Sequence, residues 1–168
     1  MKVTIETAKV QQLPDIAALA AKIWNEHYLG IISQPQIDYM LEKDYNLDAL
    51  QKDADLGSIF LVATQEAQTI GFAAFKSLNS ETLKLEKLYL LKAYQGQGIG
   101  AELLRQVEAV ALERGALDII LFVNKHNHRA ISAYSRAGYA YFDSVLEPIG
   151  QGFYVDDFIL HKMLKVTH

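Results

Sequence analysis

Apolar positions along the chain recur with two different periods. Residues 2–8 alternate, with Val3 and Ile5 apolar, which predicts a first strand. Over 13–28 the period lengthens: Leu13, Ile16, Ala17, Leu19, Ala20, Ile23, Trp24 and Tyr28 form the stripe of an amphipathic helix. Ser33-Gln34-Pro35 reads as the start of a second helix, with Ser33 as N-cap and Ile37, Met40 and Leu41 following at helical spacing. A short third helical piece spans 48–55. The period then shortens. Residues 58–64 and 69–77 predict two strands joined by a hairpin turn at Glu66-Ala67-Gln68, and 82–91 a longer strand. The clearest helix is 99–114, with Ile99, Leu103, Leu104, Val107, Val110 and Ala111 on one face and Gly115 as its left-handed stop. The unbroken apolar run 118–123 predicts a strand covered on both faces. A helix over 127–137, closed by Gly138, and strands over 139–144 and 153–163 complete the chain.

Strand, helices, three strands, helix, strand, helix, two strands is the order of an α/β domain: a mixed sheet flanked by helices on both faces. No repeat, low-complexity stretch or flexible linker interrupts it, so one domain over 1–168 is expected. Composition narrows the chemistry. The absence of cysteine excludes disulfides, thiolate zinc sites and a cysteine nucleophile, and five histidines without zinc-like spacing imply no metal. A net charge of -4 gives no electrostatic footprint for nucleic acid. No apolar run reaches the roughly 18 residues of a membrane span, and the N-terminus lacks a signal peptide's apolar region. A soluble cytoplasmic protein is the expectation.

The most informative segment is LEKLYLLKAYQGQGIGA, in which a strand runs into Gln95-Gly96-Gln97-Gly98-Ile99-Gly100 and a helix leaves at once. Glycines let the backbone approach a ligand closely, and a helix start offers unpaired N–H groups and a positive dipole end. Together they suit a pyrophosphate. A P-loop needs Lys and then Ser or Thr after its last glycine, whereas Ile99 and Gly100 follow Gly98. A dinucleotide fingerprint needs G-x-G-x-x-G, which the spacing of Gly96, Gly98 and Gly100 does not give. A tight strand-to-helix turn without a ligand is the bland alternative.

The loop resembles the acetyl-CoA signature of the GNAT N-acetyltransferase family, Q/R-x-x-G-x-G/A, with Gln95, Gly98 and Gly100 at its defined positions. The resemblance extends to LFVNKHNHRAISAYSRAGY, where Asn127, Ala130, Tyr134, Gly138 and Tyr139 fit N-x-x-A-x-x-x-Y-x-x-x-G-F/Y. It implies the acyl-CoA N-acyltransferase fold, a mixed, largely antiparallel sheet of about seven strands, and acetyl-CoA as donor. It also implies that the strand before the loop splays from its neighbour and that the backbone of Leu88, Tyr89 and Leu90 pairs with the pantetheine arm. Gln95, Gly96, Gln97, Gly98, Ile99 and Gly100 then hold the pyrophosphate, and Asn127 and Ala130 border the cofactor. Tyr134 faces the sulfur, where a phenol can protonate the leaving thiolate. A half-buried tyrosine with its hydroxyl in water is the alternative.

The acceptor is less legible. Glu86, two residues before the proposed pantetheine segment, is a candidate base, and Leu85-Glu86-x-x-Tyr89 resembles the spermidine/spermine and diamine acetyltransferases. A surface pair with Lys84 or Lys87 is its alternative role. Trp24, His27 and Tyr28 cluster at the end of the first helix, and Trp24-Asn25-Glu26-His27-Tyr28 resembles a branch that includes PaiA-like polyamine acetyltransferases. His27 is a second candidate base. Asp38, Glu42, Asp44, Asp48, Asp53 and Asp55 either line a polyamine cleft or are solvated helix faces. The expectation is direct transfer to a small-molecule amine in a ternary complex. Protein N-terminal or lysine acetylation, or acetyl-CoA sensing without catalysis, are the competing readings. The family also brings the option of a homodimer, of which the final strand is either an interface or an edge.

Overall fold

The computed structural model describes residues 2–165. Seven strands share one sheet: β1 (Thr4–Thr7), β2 (Ile59–Gln65), β3 (Gln68–Ser77), β4 (Thr82–Leu90), β5 (Asp118–Asn124), β6 (Ala140–Gly150) and β7 (Phe153–Met163). Their spatial order is β1-β2-β3-β4-β5-β7-β6, and every pair is antiparallel except β4 with β5. The helices are α1 (Leu13–His27), α2 (Gln34–Asp44), α3 (Leu47–Asp55), α4 (Ile99–Glu113) and α5 (His128–Arg136). The mixed, largely antiparallel α/β sheet is the one expected. Among the described residues no helix is long and apolar enough to cross a membrane.

Local chemistry sets the boundaries. Glu66 and Ala67 adopt φ of 50° and 66°, the two-residue turn whose twist matches the flanking strands. Ser33 Oγ accepts from Gln36 N at 3.2 Å, and Asn46 Oδ1 from Ala49 N at 2.7 Å, capping α2 and α3. The core lies on both sides of β3, which is buried at every position from Ile70 to Phe75. Both α1 and α4 pack on β3, and they cover its opposite faces with Ile16, Ile23, Leu103 and Val107. The rings of Phe72 and Phe75 are fully buried, each contributing roughly 1.5–3 kcal/mol from desolvation.

Two irregularities position the site. First, β4 and β5 pair only from Thr82–Asp118 to Leu85–Leu121. Beyond that β4 stays with β3 to Leu90, and β5 stays with β7 to Asn124, so the sheet opens at the C-terminal ends of its one parallel pair. Clefts at that end of parallel strands are where α/β sheets take ligands. Gly71 lets β3 follow β4 to this point, since a Cβ there would lie 2.8 Å from Leu90 Cδ1 and 2.9 Å from Tyr89 O. Second, Ala74 faces Lys87 and Phe75 faces Leu85, so Glu86 is the extra residue of a β-bulge.

Some expectations need correction. β5 is not covered on both faces: Ile119, Leu121 and Val123 are buried, but Phe122 is 40% exposed, because the opening removes its neighbour on one side. The sixth strand runs to Gly150 rather than 144. It continues through Pro148 because β6 is an edge strand, where a missing N–H is tolerated. The last strand, β7, is no edge; it lies between β5 and β6. Finally, β4 does not enter the glycine loop directly, since a 3₁₀ turn at Lys92–Tyr94 intervenes.

The β6–β7 hairpin leans its tip against α2. Tyr39 OH donates to Ile149 O at 2.6 Å, Gln36 Nε2 donates to Tyr154 O at 2.7 Å, and the Tyr39 and Phe153 rings lie 5.3 Å apart. A Cβ at Gly150 would collide with the Tyr39 hydroxyl.

Candidate active site

Two cavities meet at the opening between β4 and β5. The larger, about 720 Å³, runs along the end of β4, the glycine loop, the first turns of α4 and the length of α5. The smaller, about 230 Å³, lies below α1 and α2. Leu88, Tyr89, Asn127, Ala130 and Tyr134 line both.

One wall of the larger cavity is built from backbone. Gly96 and Gly98 hold φ of 79° and 82°, a region that L side chains resist, and a Cβ on Gly96, Gly98 or Gly100 would meet no atom within 4 Å. The loop therefore presents bare main chain to open space. The first helical bond of α4 runs from Glu102 N to Gly98 O at 3.0 Å, so the N–H groups of the turn before it have no helical acceptor. Gln95 Nε2 donates to Leu90 O at 3.1 Å and ties the loop to β4. Ile99 points into the core, and Gln97 reaches back to Ala93 O at 3.3 Å; neither lines the cavity.

Arg129 and Arg136 also border this cavity and make no ion pair among the described residues. Sequence reading missed them, although a spacing of seven on α5 put them on one helix face. Lys162 is paired with Glu108 at 2.5 Å, and Arg105 with Glu102 at 2.6 Å.

Where the cavities join, Asn127 is buried as the N-cap of α5. Its Oδ1 accepts from Ala130 N at 3.4 Å and lies 3.0 Å from His27 Nε2, which places the donating hydrogen on that ring nitrogen. His27 lines the larger cavity and not the smaller. Burial, reinforced by Tyr28, pushes the Tyr134 hydroxyl above its ordinary pKa, so it holds its proton firmly. Trp24 and Tyr28, with ring centroids 4.3 Å apart, form an aromatic wall with Tyr45 and Tyr89. The hydroxyls of Tyr28 and Tyr89 are 3.4 Å apart, and burial raises both.

The smaller cavity is built from side chains, and its charge is negative. Asp44, Glu86 and Asp157 line it together with one cation, Lys87. Lys87 is already paired with Asp53 at 3.2 Å and sits 5.0 Å above the Tyr45 ring. Glu86 Oε1 accepts a 2.5 Å hydrogen bond from Ser58 Oγ, rather than pairing with Lys84 or Lys87. Burial raises the Asp44 carboxyl. Burial, then Asp156 and Glu147, pushes Asp157 up to about 6 against the opposing pull of Lys125 and Lys84. Among the other acids of the N-terminal third, Asp38 and Asp55 accept side-chain bonds from Gln34 and Gln51 on exposed faces. Asp157 was not singled out in the sequence. Its signal was two adjacent acids, Asp156-Asp157, set between the apolar runs 153–155 and 158–160 of one strand. Among the described residues no group of three or more His, Cys, Asp or Glu is arranged to hold a metal.

Residues 19–139 match the model of the acetyltransferase (GNAT) family. The chain is 26% identical over 149 residues to the spermidine N(1)-acetyltransferase of Thermoplasma acidophilum, covering 86% of this chain and 92% of that protein. It is 36% identical over 98 residues to the streptothricin acetyltransferase of Streptomyces lavendulae, covering 56% of this chain and 51% of that one. Among solved structures, the PaiA N-acetyltransferase of Thermoplasma acidophilum in complex with coenzyme A superposes with a TM-score of 0.84 at 26% identity. That alignment covers 97% of this chain and 99% of that one. With the family model spanning the opened sheet, the glycine loop and the Asn127–Tyr134 turn, the chain belongs to the GNAT acetyltransferase family.

Proposed function

We propose that the protein transfers the acetyl group of acetyl-CoA to a primary amine of a small polycation of the spermidine class, directly and without a covalent enzyme intermediate. The observation that carries this reading is the meeting, at Tyr134, of a cavity edged by the bare backbone of the glycine loop with a cavity that holds three carboxylates. The first suits the donor. The unpaired N–H groups at the start of α4 suit a pyrophosphate, and Arg129 and Arg136 suit further anionic charge. The main chain of Leu88, Tyr89 and Leu90, unpaired on its β5 side, offers ladder positions to amides of the pantetheine arm. When bound, acetyl-CoA supplies an activated thioester.

The second cavity suits the acceptor. Asp44, Glu86 and Asp157 favour an ammonium, and Lys87 is neutralised by Asp53. Glu86, held by Ser58, binds the acceptor's charge, while Trp24 and Tyr28 flank its methylene chain. The contacts of α2 with the β6–β7 hairpin close the cavity on the far side, which favours a slender molecule over a folded protein's surface. Tyr134 donates its proton to the leaving sulfur. The spermidine acetyltransferase and the coenzyme A complex described above support the same reading. The test is direct. With acetyl-CoA and spermidine, spermine or putrescine, a thiol reagent is expected to report saturable coenzyme A release. No release with any of the three overturns the proposal.

A further inference from the structure

We infer that the carboxylate of Asp157 takes the proton from the acceptor ammonium, an assignment that rests on the amine-transfer reading. Two acids that line the smaller cavity stand on either side of the opening. Glu86 stands on β4, and Asp157 stands on β7 directly across from Asn124 at the end of β5. They differ in what already holds them. Glu86 Oε1 is engaged by the Ser58 hydroxyl at 2.5 Å. The Asp157 side chain makes no hydrogen bond or ion pair among the described residues, whereas its neighbour Asp156 takes Lys125 at 2.7 Å. The adjacent acids thus divide: one neutralises a lysine, and the other keeps its charge for the cavity.

The surroundings set its basicity. Asp156 on its own strand and Glu147 on β6 repel a negative charge at Asp157, and Lys125 after β5 and Lys84 on β4 attract it. From α1, Tyr28 feels its field. Half burial decides the balance, and the carboxyl protonates at about pH 6, nearer neutrality than an ordinary aspartate. A base with its pKa closer to the working pH is the more effective proton acceptor.

The bookkeeping of protons closes. Asp157 accepts one proton from R–NH3+, leaving a lone pair on nitrogen. As the nitrogen bonds to the thioester carbon and the carbon–sulfur bond breaks, Tyr134 gives its proton to sulfur. The surplus proton still on nitrogen restores the Tyr134 hydroxyl, and Asp157 releases its own to solvent. One proton leaves per amide formed.

The experiment compares the full chain with Asp157→Asn and Glu86→Gln across about pH 5 to 9. It measures kcat and KM for spermidine, and spermidine affinity by calorimetry without donor. In the wild type, kcat/KM is expected to rise with pH through about 6, and spermidine affinity to fall below that pH. In Asp157→Asn that limb disappears from both measurements and kcat drops on the order of 100-fold. The rate recovers as pH nears the amine's own pKa, and coenzyme A affinity stays unchanged. Glu86→Gln raises KM and keeps the limb. An Asp157→Asn enzyme with unaltered kcat, or with only KM raised, overturns the assignment, as does loss of the limb in Glu86→Gln instead. A wild type that turns over no amine overturns the amine-transfer reading and this assignment with it, whereas active wild type beside unaffected Asp157→Asn overturns the assignment alone.

Discussion

The two cavities touch along five residues and are built on opposite principles. The larger has one wall of main chain, from the end of β4 and the glycine loop, and is completed by side chains of α4 and α5. The smaller is assembled from side chains on α1, α2, β4, β5, α5 and β7. A backbone surface tolerates many neighbouring side chains but demands conformations that only particular residues adopt. A side-chain surface tolerates many backbones, and its selectivity changes with a single residue. The first principle fits a donor that never varies; the second fits an acceptor that does.

Four substitutions test that contrast. Tyr134→Phe acts where the cavities meet and is expected to cut kcat on the order of 100–1,000-fold while calorimetric coenzyme A and spermidine affinities hold. A loss of either affinity would make Tyr134 part of one cavity rather than the link between them. Gly98→Val puts a branched side chain at φ 82°. It is expected to cost about 2–3 kcal/mol, read as roughly 30–150-fold weaker coenzyme A binding with spermidine affinity intact. Parallel weakening of both ligands would dissolve the distinction.

Asp157→Asn probes the energetic cost of the acceptor wall. The folded pKa of Asp157 lies above the ordinary value of 3.8, at about 6. Its contribution to stability is therefore complete below about pH 4 and is lost as pH rises through about 6. Relative to wild type, the variant is expected to unfold at the same temperature near pH 4 and a few degrees higher at pH 7, equivalent to roughly 1–3 kcal/mol. Equal melting temperatures at both pH values would show that the carboxylate is not held against its solvation. The smallest effect is expected from His27→Ala, which removes the 3.0 Å contact to Asn127. At about 1 kcal/mol, coenzyme A binding should weaken roughly fivefold with spermidine KM unchanged. A change in spermidine KM alone would move His27 to the acceptor side.

The same contrast explains what the sequence made legible. Gln95 to Gly100 follows a strand and opens a helix, so its chemistry is written in consecutive letters. The Asn127–Tyr134 spacing is written in one helix. Caps and periodicity likewise foretold most element boundaries. The acceptor wall has no such local record. Asp157 meets Glu86 only because β7 inserts between β5 and β6, a pairing that no local pattern encodes. His27 sits in an aromatic-rich helix end, but its partner Asn127 is 100 residues away. The length of β6 likewise has no local record, since Pro148 is tolerated only where the strand is an edge.

The lean of the β6–β7 hairpin onto α2 bears on how such a protein diversifies. Tyr39 and the carbonyl of Ile149 are 110 residues apart in the chain, yet they meet beside the smaller cavity, which Gln36 and Val155 line from the same helix and hairpin, with Gly150 leaving room for the phenol. Inheritance can therefore treat helix and hairpin as one exchangeable cassette. A graft that moves both carries its own roof, whereas a graft of either alone sets an unmatched side chain against Tyr39 or leaves the hairpin tip unsupported. The walls of the smaller cavity thus change in pairs of segments, while the glycine loop, on elements of its own, stays behind with the host.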